Sequence, residues 1–199
     1  MKKKIFQTTG FIVLLSGLFA LTACNNQGNS ESSNTDTTKS GTSMREAEAT
    51  VSGVFPDTTV NGTVKFTQQS DGKVKMDLQL MIPAKANKSV AVHIHENAEC
   101  GDMGKAAGGH WNPTNEMHGK WGSDHFHSGD IGNISLDADG KGSLMLESDR
   151  WSIGGDSKTD ILNRTIIVHG GMDDYTSQPS GNSGVRIGCG TIKETTTKM

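Results

Sequence analysis

From Val74 to Ile82 the chain alternates. Val74, Met76, Leu78, Leu80 and Ile82 are apolar, and Lys75, Asp77 and Gln79 stand between them. A period of two puts one set of side chains on each face, so 73–82 is predicted to be a half-buried β-strand. Shorter runs of the same kind predict strands at 46–55, 62–69, 89–95, 131–137, 142–147, 164–169 and 185–192. Asp71-Gly72 is a hairpin signal between the second and third. The segment "DADGKG" (137–142) is a tight-turn signal between the fifth and sixth. Eight short strands without a helical pattern predict an all-β domain, a sandwich or flattened barrel. Two stretches break the rhythm, 96–130 and 170–184, both following a strand that carries histidine. Segments of that length without strands of their own are functional loops or disordered.

The ends of the chain read differently. Lys2, Lys3 and Lys4 precede an apolar run from Phe11 to Ala23, which predicts a secretory signal peptide over 1–23. The run is too short to cross a bilayer comfortably. "LTAC" before and including Cys24 resembles the lipobox of bacterial lipoproteins, which implies cleavage before Cys24 and lipid on its thiol. Ordinary cleavage with Cys24 free is the alternative. Residues 25–45 have almost no apolar side chains and predict a flexible tether. The folded domain is expected over 46–193, with 194–199 a tail. This organisation predicts an exported protein held by lipid on a bacterial cell membrane, at a periplasmic or outer face.

Charge and cysteines narrow the picture. The whole chain carries a net charge of −3; removing 1–23 takes three lysines and no acids, leaving −6. A mature protein this acidic is a poor partner for nucleic acid. Of the three cysteines, Cys100 and Cys189 remain if Cys24 is lipidated. An oxidising compartment favours a disulfide between them, with two separate buried thiols as the alternative.

The histidines carry the chemistry. Along 90–95, Val90, Val92 and Ile94 alternate with Ala91, His93 and His95, so both imidazoles share one face of a strand. All seven histidines, at 93, 95, 110, 118, 125, 127 and 169, lie in or beside the two long segments. A lone histidine is more often a satisfied structural residue than a ligand. Seven around two loops point to a metal, and imidazole suits zinc, copper, iron and nickel.

"HIHE", "GGHWNP", "HSGDIGN", "VHGGMDD" and "GVRIGCG" occur in that order. Together they closely resemble the copper/zinc superoxide dismutase family, in its bacterial lipoprotein form, over nearly the whole domain. The spacings match too: 17 residues from His93 to His110, 8 to His118, 9 to His127 and 3 to Asp130. The resemblance implies an eight-stranded Greek-key β-barrel with two long functional loops, and one copper and one zinc per subunit. It implies copper ligands at His93, His95, His110 and His169, and zinc ligands at His110, His118, His127 and Asp130. His110 would then bridge both metals. Asp173 resembles the carboxylate that orients one ligand of each metal, and Arg186 the arginine that draws the anion toward copper. Cys100 and Cys189 match the family disulfide.

The implied activity is conversion of superoxide to dioxygen and hydrogen peroxide by copper redox cycling, with His110 and Arg186 as catalytic residues. The implied partners are the superoxide anion and, through the lipid, a membrane; the pattern also admits a homodimer. Some features depart from eukaryotic members. Cys100 follows His95 by only five residues, and no Lys or Arg stands between His169 and Arg186. His125 is an extra histidine two residues before His127; in an extended segment both could face the zinc, and the H-x-x-D and "GDIGN" context favours His127, with His125 read as a solvated side chain. A copper-holding module without turnover is the rival reading, and a zinc-only surface protein a third. Such relatives lose copper ligands or the arginine, whereas all of those residues are present here.

Overall fold

The computed structural model describes residues 44–195. The expected leader, Cys24, nearly all of the tether and the end of the tail lie outside the described residues. The strands are β1 (Glu46–Gly53), β2 (Asn61–Gln68), β3 (Val74–Met81), β4 (Ser89–His95), β5 (Gly132–Ser135), β6 (Lys141–Ser148), β7 (Thr165–His169), β8 (Arg186–Thr191) and β9 (Lys193–Glu194). The eight longer ones match the strands read from the sequence. The two-residue β9 pairs with β1 and carries the ladder to Glu194, just past the expected boundary.

All pairings of named strands are antiparallel, in the order β5-β4-β7-β8-β1-β2-β3-β6. Sequence neighbours β3 and β4 are therefore far apart in the sheet, as are β6 and β7. Both connections must cross an end of the barrel, which makes the topology a Greek key. The two outermost strands, β5 and β6, are joined by the 136–140 turn, so the sheet curls into a nearly closed barrel. Asp137 Oδ1 accepts from the N–H of Asp139 and of Lys141, at 2.9 and 2.8 Å, and fixes that turn. Gly140 has a φ of +77°, and a Cβ there would sit 2.4 Å from the Ile82 carbonyl oxygen. The turn can close against the end of β3 only with glycine. β5 is shorter than its pattern predicts. Leu136 is buried, but its N–H donates to the Lys88 carbonyl outside the ladder.

The period-two residues fill the barrel. Val64, Phe66, Val74, Met76, Leu78, Val90, Val92, Ile94, Ile166 and Val168 are all fully buried in one core, with Trp151 packed edge-on against Phe66. β4 and β7 differ from ordinary half-solvated antiparallel strands because both of their faces are buried. Val92 and Ile94 point inward, opposite Val168 and Ile166. The outer face therefore carries His93 and His95, with Ile167 and Thr165 opposite them.

The two long loops cover that outer face. Ala107 from the first packs with Ile167 and Cys189 in a second small apolar cluster. Burying a side chain the size of Ile167 stabilises by roughly 1.5–3 kcal/mol. Cys100 and Cys189 form a disulfide, with Cα atoms 5.8 Å apart, that pins the same loop to β8.

Candidate metal centre

β4 supplies His93 and His95, β7 ends on His169, and the first loop brings His110, His118, His127 and Asp130. These residues are 8% exposed or less. They form two groups of four that share one member. One nitrogen from each of His93, His95, His110 and His169 lies within 4.8 Å of the others. The same holds for one atom each from His110, His118, His127 and Asp130. The rings of His93 and His110 are 4.0 Å apart, and those of His110 and His118 5.3 Å. An isolated bridge between His95 and His110 holds the loop against β4.

Five of the rings are each oriented from outside by an oxygen that can only accept, which places a proton on the bonded nitrogen, while both nitrogens of His127 have such a partner, Asp130 Oδ1 at 3.1 Å and the Glu116 carbonyl at 3.2 Å. His93 Nε2 donates to Asp173 Oδ2 at 2.9 Å. His95 Nδ1 donates to the Gly108 carbonyl at 2.9 Å, and His169 Nδ1 to the Gly184 carbonyl at 3.2 Å. His118 Nε2 donates to Asp173 Oδ1 at 2.9 Å, and His110 Nδ1 to Asp130 Oδ1 at 2.8 Å. The opposite nitrogens, His93 Nδ1, His95 Nε2, His110 Nε2, His118 Nδ1 and His169 Nε2, are buried without a hydrogen-bond partner. His118 Nδ1 is 3.0 Å from Asp130 Oδ2 but not aligned with it for a hydrogen bond. Buried polar atoms without partners are rare and costly, and five of them distributed over these two groups fit a site built for metal ions.

Asp173 ties the groups together, because its two oxygens hold one histidine of each. Its own position is fixed by residues that the sequence reading missed. Asn133 on β5 accepts from the Asp173 N–H and donates to the Asp173 carbonyl, both at 2.8 Å. Gly181 is required beside it: a Cβ there would lie 1.8 Å from Asp173 Oδ1 and 2.6 Å from His118 Nε2. Asn133 belongs to the "GDIGN" motif, which was a usable signal. Nothing in the sequence pattern marks Gly181.

A pocket of about 580 Å³ opens onto this centre, lined among others by His95, His110, His169, Gln178 and Arg186. Arg186 donates from Nη1 and Nη2 to the carbonyls of Gly104 and Gly108, each at 2.6 Å. Gly108 thus orients His95 and Arg186 through one oxygen. His125 stands apart from both groups, exposed, with Nδ1 3.2 Å from Glu116 Oε2.

The family profile described as copper/zinc superoxide dismutase matches residues 60–192. The chain belongs to the copper/zinc superoxide dismutase family. Membership places it among oxidoreductases that carry copper and zinc, and the two histidine groups could hold those metals. A copper/zinc superoxide dismutase of Candida albicans is 36% identical over 163 residues, which cover 75% of this chain and 97% of that protein. One from Aquifex aeolicus is 32% identical over 137 residues, 66% of this chain and 79% of that protein. Among solved structures, the clock protein EA4 aligns with a TM-score of 0.64 at 29% identity, covering 74% of this chain and 93% of that one.

Electrostatics divides the superoxide dismutase site into two halves. Burial, and secondarily the neighbouring His93, push His169 down to about 3. Burial pushes His110 down to about 4 against the pull of Asp130, and holds His95 well below its ordinary value. Burial would also lower His118, but the carboxylates of Asp130 and Asp173 outweigh it and raise it to about 9. Burial works against ionised Asp130, yet His110, His118 and His127 hold it far below the usual carboxylate range.

These shifts set opposite pH limits on the metal-free protein. His110 and His169 bind protons more readily unfolded, near 6.5, than folded. Their contribution is present above that value and is lost as pH falls through about 4 and 3. His118 is the reverse: its contribution is full below about 6.5 and is lost as pH rises through about 9. Thermal melts in excess chelator are expected to show a declining limb on each side of neutrality. His118→Gln should flatten the alkaline limb. A melting temperature in the native sequence that does not change between pH 6.5 and 9 would rule out the His118 ion pair.

Proposed function

We propose that the chain disproportionates superoxide, converting two superoxide anions and two protons into one dioxygen and one hydrogen peroxide. His93, His95, His110 and His169 would hold copper, and His110, His118, His127 and Asp130 would hold zinc. The observation that carries this reading is the position of His110. It alone belongs to both groups, with Nδ1 toward Asp130 and the unpartnered Nε2 toward the other three histidines. When bound, copper supplies one-electron exchange with superoxide, and zinc a fixed positive charge without redox chemistry.

The chain's own residues do the rest. Arg186 lines the pocket and keeps its charge, because a guanidinium stays protonated even where burial lowers its affinity for the proton. Its two backbone bonds fix the fork, so an anion entering the pocket meets a positive charge already in place. His110, which lines the pocket, can hold and yield a proton at Nε2. Without metal, Asp130 Oδ1 orients that ring from the opposite nitrogen, at 2.8 Å. Asp173 keeps His93 and His118 from turning, as hydrogen-bonded outer carboxylates do for metal-bound imidazoles.

The amino-terminal reading is part of the proposal. Cleavage before Cys24 and lipid on its thiol would leave the domain on a tether of about twenty residues at a bacterial membrane surface. The family's activity on a membrane-impermeant anion is compatible with that placement. Cys24→Ser should move the protein from the membrane fraction to the soluble fraction, or leave it unprocessed, because lipid supplies the anchor. Native protein found wholly soluble without proteolysis would remove the anchor.

His169→Ala should abolish dismutation and copper retention but leave zinc bound, because His169 is absent from the second group. Near-normal activity with copper bound would overturn the ligand assignment.

Arg186→Glu should lower the rate roughly ten-fold or more at unchanged metal content, the order of effect expected from reversing a charge at a site mouth. Arg186→Lys should be milder, keeping the charge but losing the fork. The native rate should fall as salt rises, since ions screen the attraction. A rate that climbs with salt would mean that repulsion from the acidic surface dominates, and Arg186 would be an orienting group alone.

A further inference from the structure

His118 is held at its ring and at its backbone, in both cases from one segment. Its ring is fixed by Asp173. Its backbone is fixed by Gln178, five residues further along the same loop. The His118 N–H donates to Gln178 Oε1 at 2.8 Å, and Gln178 Nε2 donates to the His118 carbonyl at 2.9 Å. One side-chain amide thus satisfies both backbone groups of one residue, as a neighbouring β-strand would. Reversing the amide would break both bonds, so its orientation is determined. The flanking chain cannot replace it, because 116–120 forms no strand that could supply a ladder.

Gln178 also has a second position. It lines the pocket together with Pro179, Ser180 and Arg186. The residue that grips the backbone of His118 is therefore also a wall of the pocket over His95 and His169. Within the loop, Asp174 accepts the N–H groups of Thr176 and Ser177 at 2.9 and 2.8 Å, and the Gly181 N–H donates to the Ser177 carbonyl at 2.7 Å. Gln178 sits in a folded turn and not on a free strand of chain.

We propose that Gln178 is a positioning residue that couples zinc occupancy to the order of the pocket wall. This rests on the assignment of zinc to the group containing His118. With the clamp closed, His118 Nδ1 already lies 3.0 Å from Asp130 Oδ2, its partner in the second group, and the ion binds a prearranged ligand. By reciprocity, an ion that fixes His118 also fixes Gln178 and the 174–182 turn around it. Residues orienting a metal ligand typically contribute 10–100-fold to metal affinity.

The test compares the native protein, Gln178→Ala, Gln178→Glu and His118→Ala. Zinc affinity is read by competition with a chromophoric chelator. Ligand geometry is read from the visible spectrum with cobalt(II) in place of zinc. Amide hydrogen exchange of residues 174–182 is read with and without zinc. Gln178→Ala should bind zinc about ten-fold or more weakly and shift the cobalt bands. It should also lose most of the zinc-dependent protection of 174–182 that the native protein shows. Gln178→Glu should do no better than Ala, since its carboxylate cannot donate to the His118 carbonyl and repels it. Native zinc affinity, cobalt bands and zinc-dependent protection in Gln178→Ala would overturn the clamp, provided His118→Ala loses zinc. If His118→Ala retains native zinc affinity, the zinc assignment fails and the clamp falls with it.

Discussion

Five buried imidazole nitrogens without a hydrogen-bond partner are the constraint on which the rest of the structure depends. Leaving one such group unsatisfied costs roughly 1–3 kcal/mol, so a fold that gathers five of them needs strong support elsewhere. The support is a barrel whose interior is complete without the histidines. Phe66, Met76, Leu78, Ile94, Ile166 and Trp151 are buried on the inner side, away from the site. His93, His95 and His169 project from the outer faces of β4 and β7 and the first loop brings His110 and His118 over them, so the cost is borne by a scaffold that does not depend on them for packing. The unpaired nitrogens are also what makes the chain a metal protein. A lone pair that is buried, oriented and denied any protein donor is available to an ion.

The outer hydrogen bonds turn this cost into selectivity of geometry. Every ring in the first group is anchored on its far side by a carbonyl or carboxylate oxygen, which fixes both tautomer and direction. Asp173 spans the two groups, so a displacement in one is felt in the other. His118 and His169 show how differently burial acts on either side. Two carboxylates hold a proton on His118 to about 9, while His169, among other imidazoles, is neutral down to about 3. Any ion binding at His118 must displace a proton at neutral pH; one binding at His169 need not.

The barrel could be read from the chain because period-two alternation is a local property. Val74 to Ile82 announced a strand whatever its neighbours were, and the same holds for the other seven. The metal-facing residues could be read because H-x-H on a strand and the fixed spacings to His110, His118, His127 and Asp130 survive as sequence. The supports were harder. Gly108 acts through its carbonyl, which every residue has, so no residue type marks it. Gly181 is needed only because Asp173 and His118 converge on it from elsewhere in the chain. Gln178 acts on a backbone sixty residues away, and a glutamine in a polar loop carries no periodic signal. Strand ends also escaped the pattern where apolar burial and ladder bonding part company, as at Leu136.

The acidic charge of the chain and the negative charge of its expected substrate would oppose each other if charge acted as a net quantity. They need not, because the field that an anion meets is set by what lines the pocket and by what the surrounding protein excludes. Asp130 and Asp173 are buried and spent on histidines, and Glu116, the acid among the pocket-lining residues, has its Oε2 3.2 Å from His125 Nδ1. Arg186 is half-buried at the pocket, with its fork held by two carbonyls and no carboxylate among its hydrogen-bond partners. A low-dielectric wall around an unneutralised guanidinium focuses its field outward through the opening. The same loop carbonyl at Gly108 that holds Arg186 also sets the His95 ring, so the proposed steering charge and the proposed copper ligand are placed by a single atom. The disulfide and the Ala107–Ile167 contact hold that loop to β8 and β7. On the proposed reading, steering and metal geometry are thus consequences of one packing event, the closure of the first loop on the outer face of the barrel.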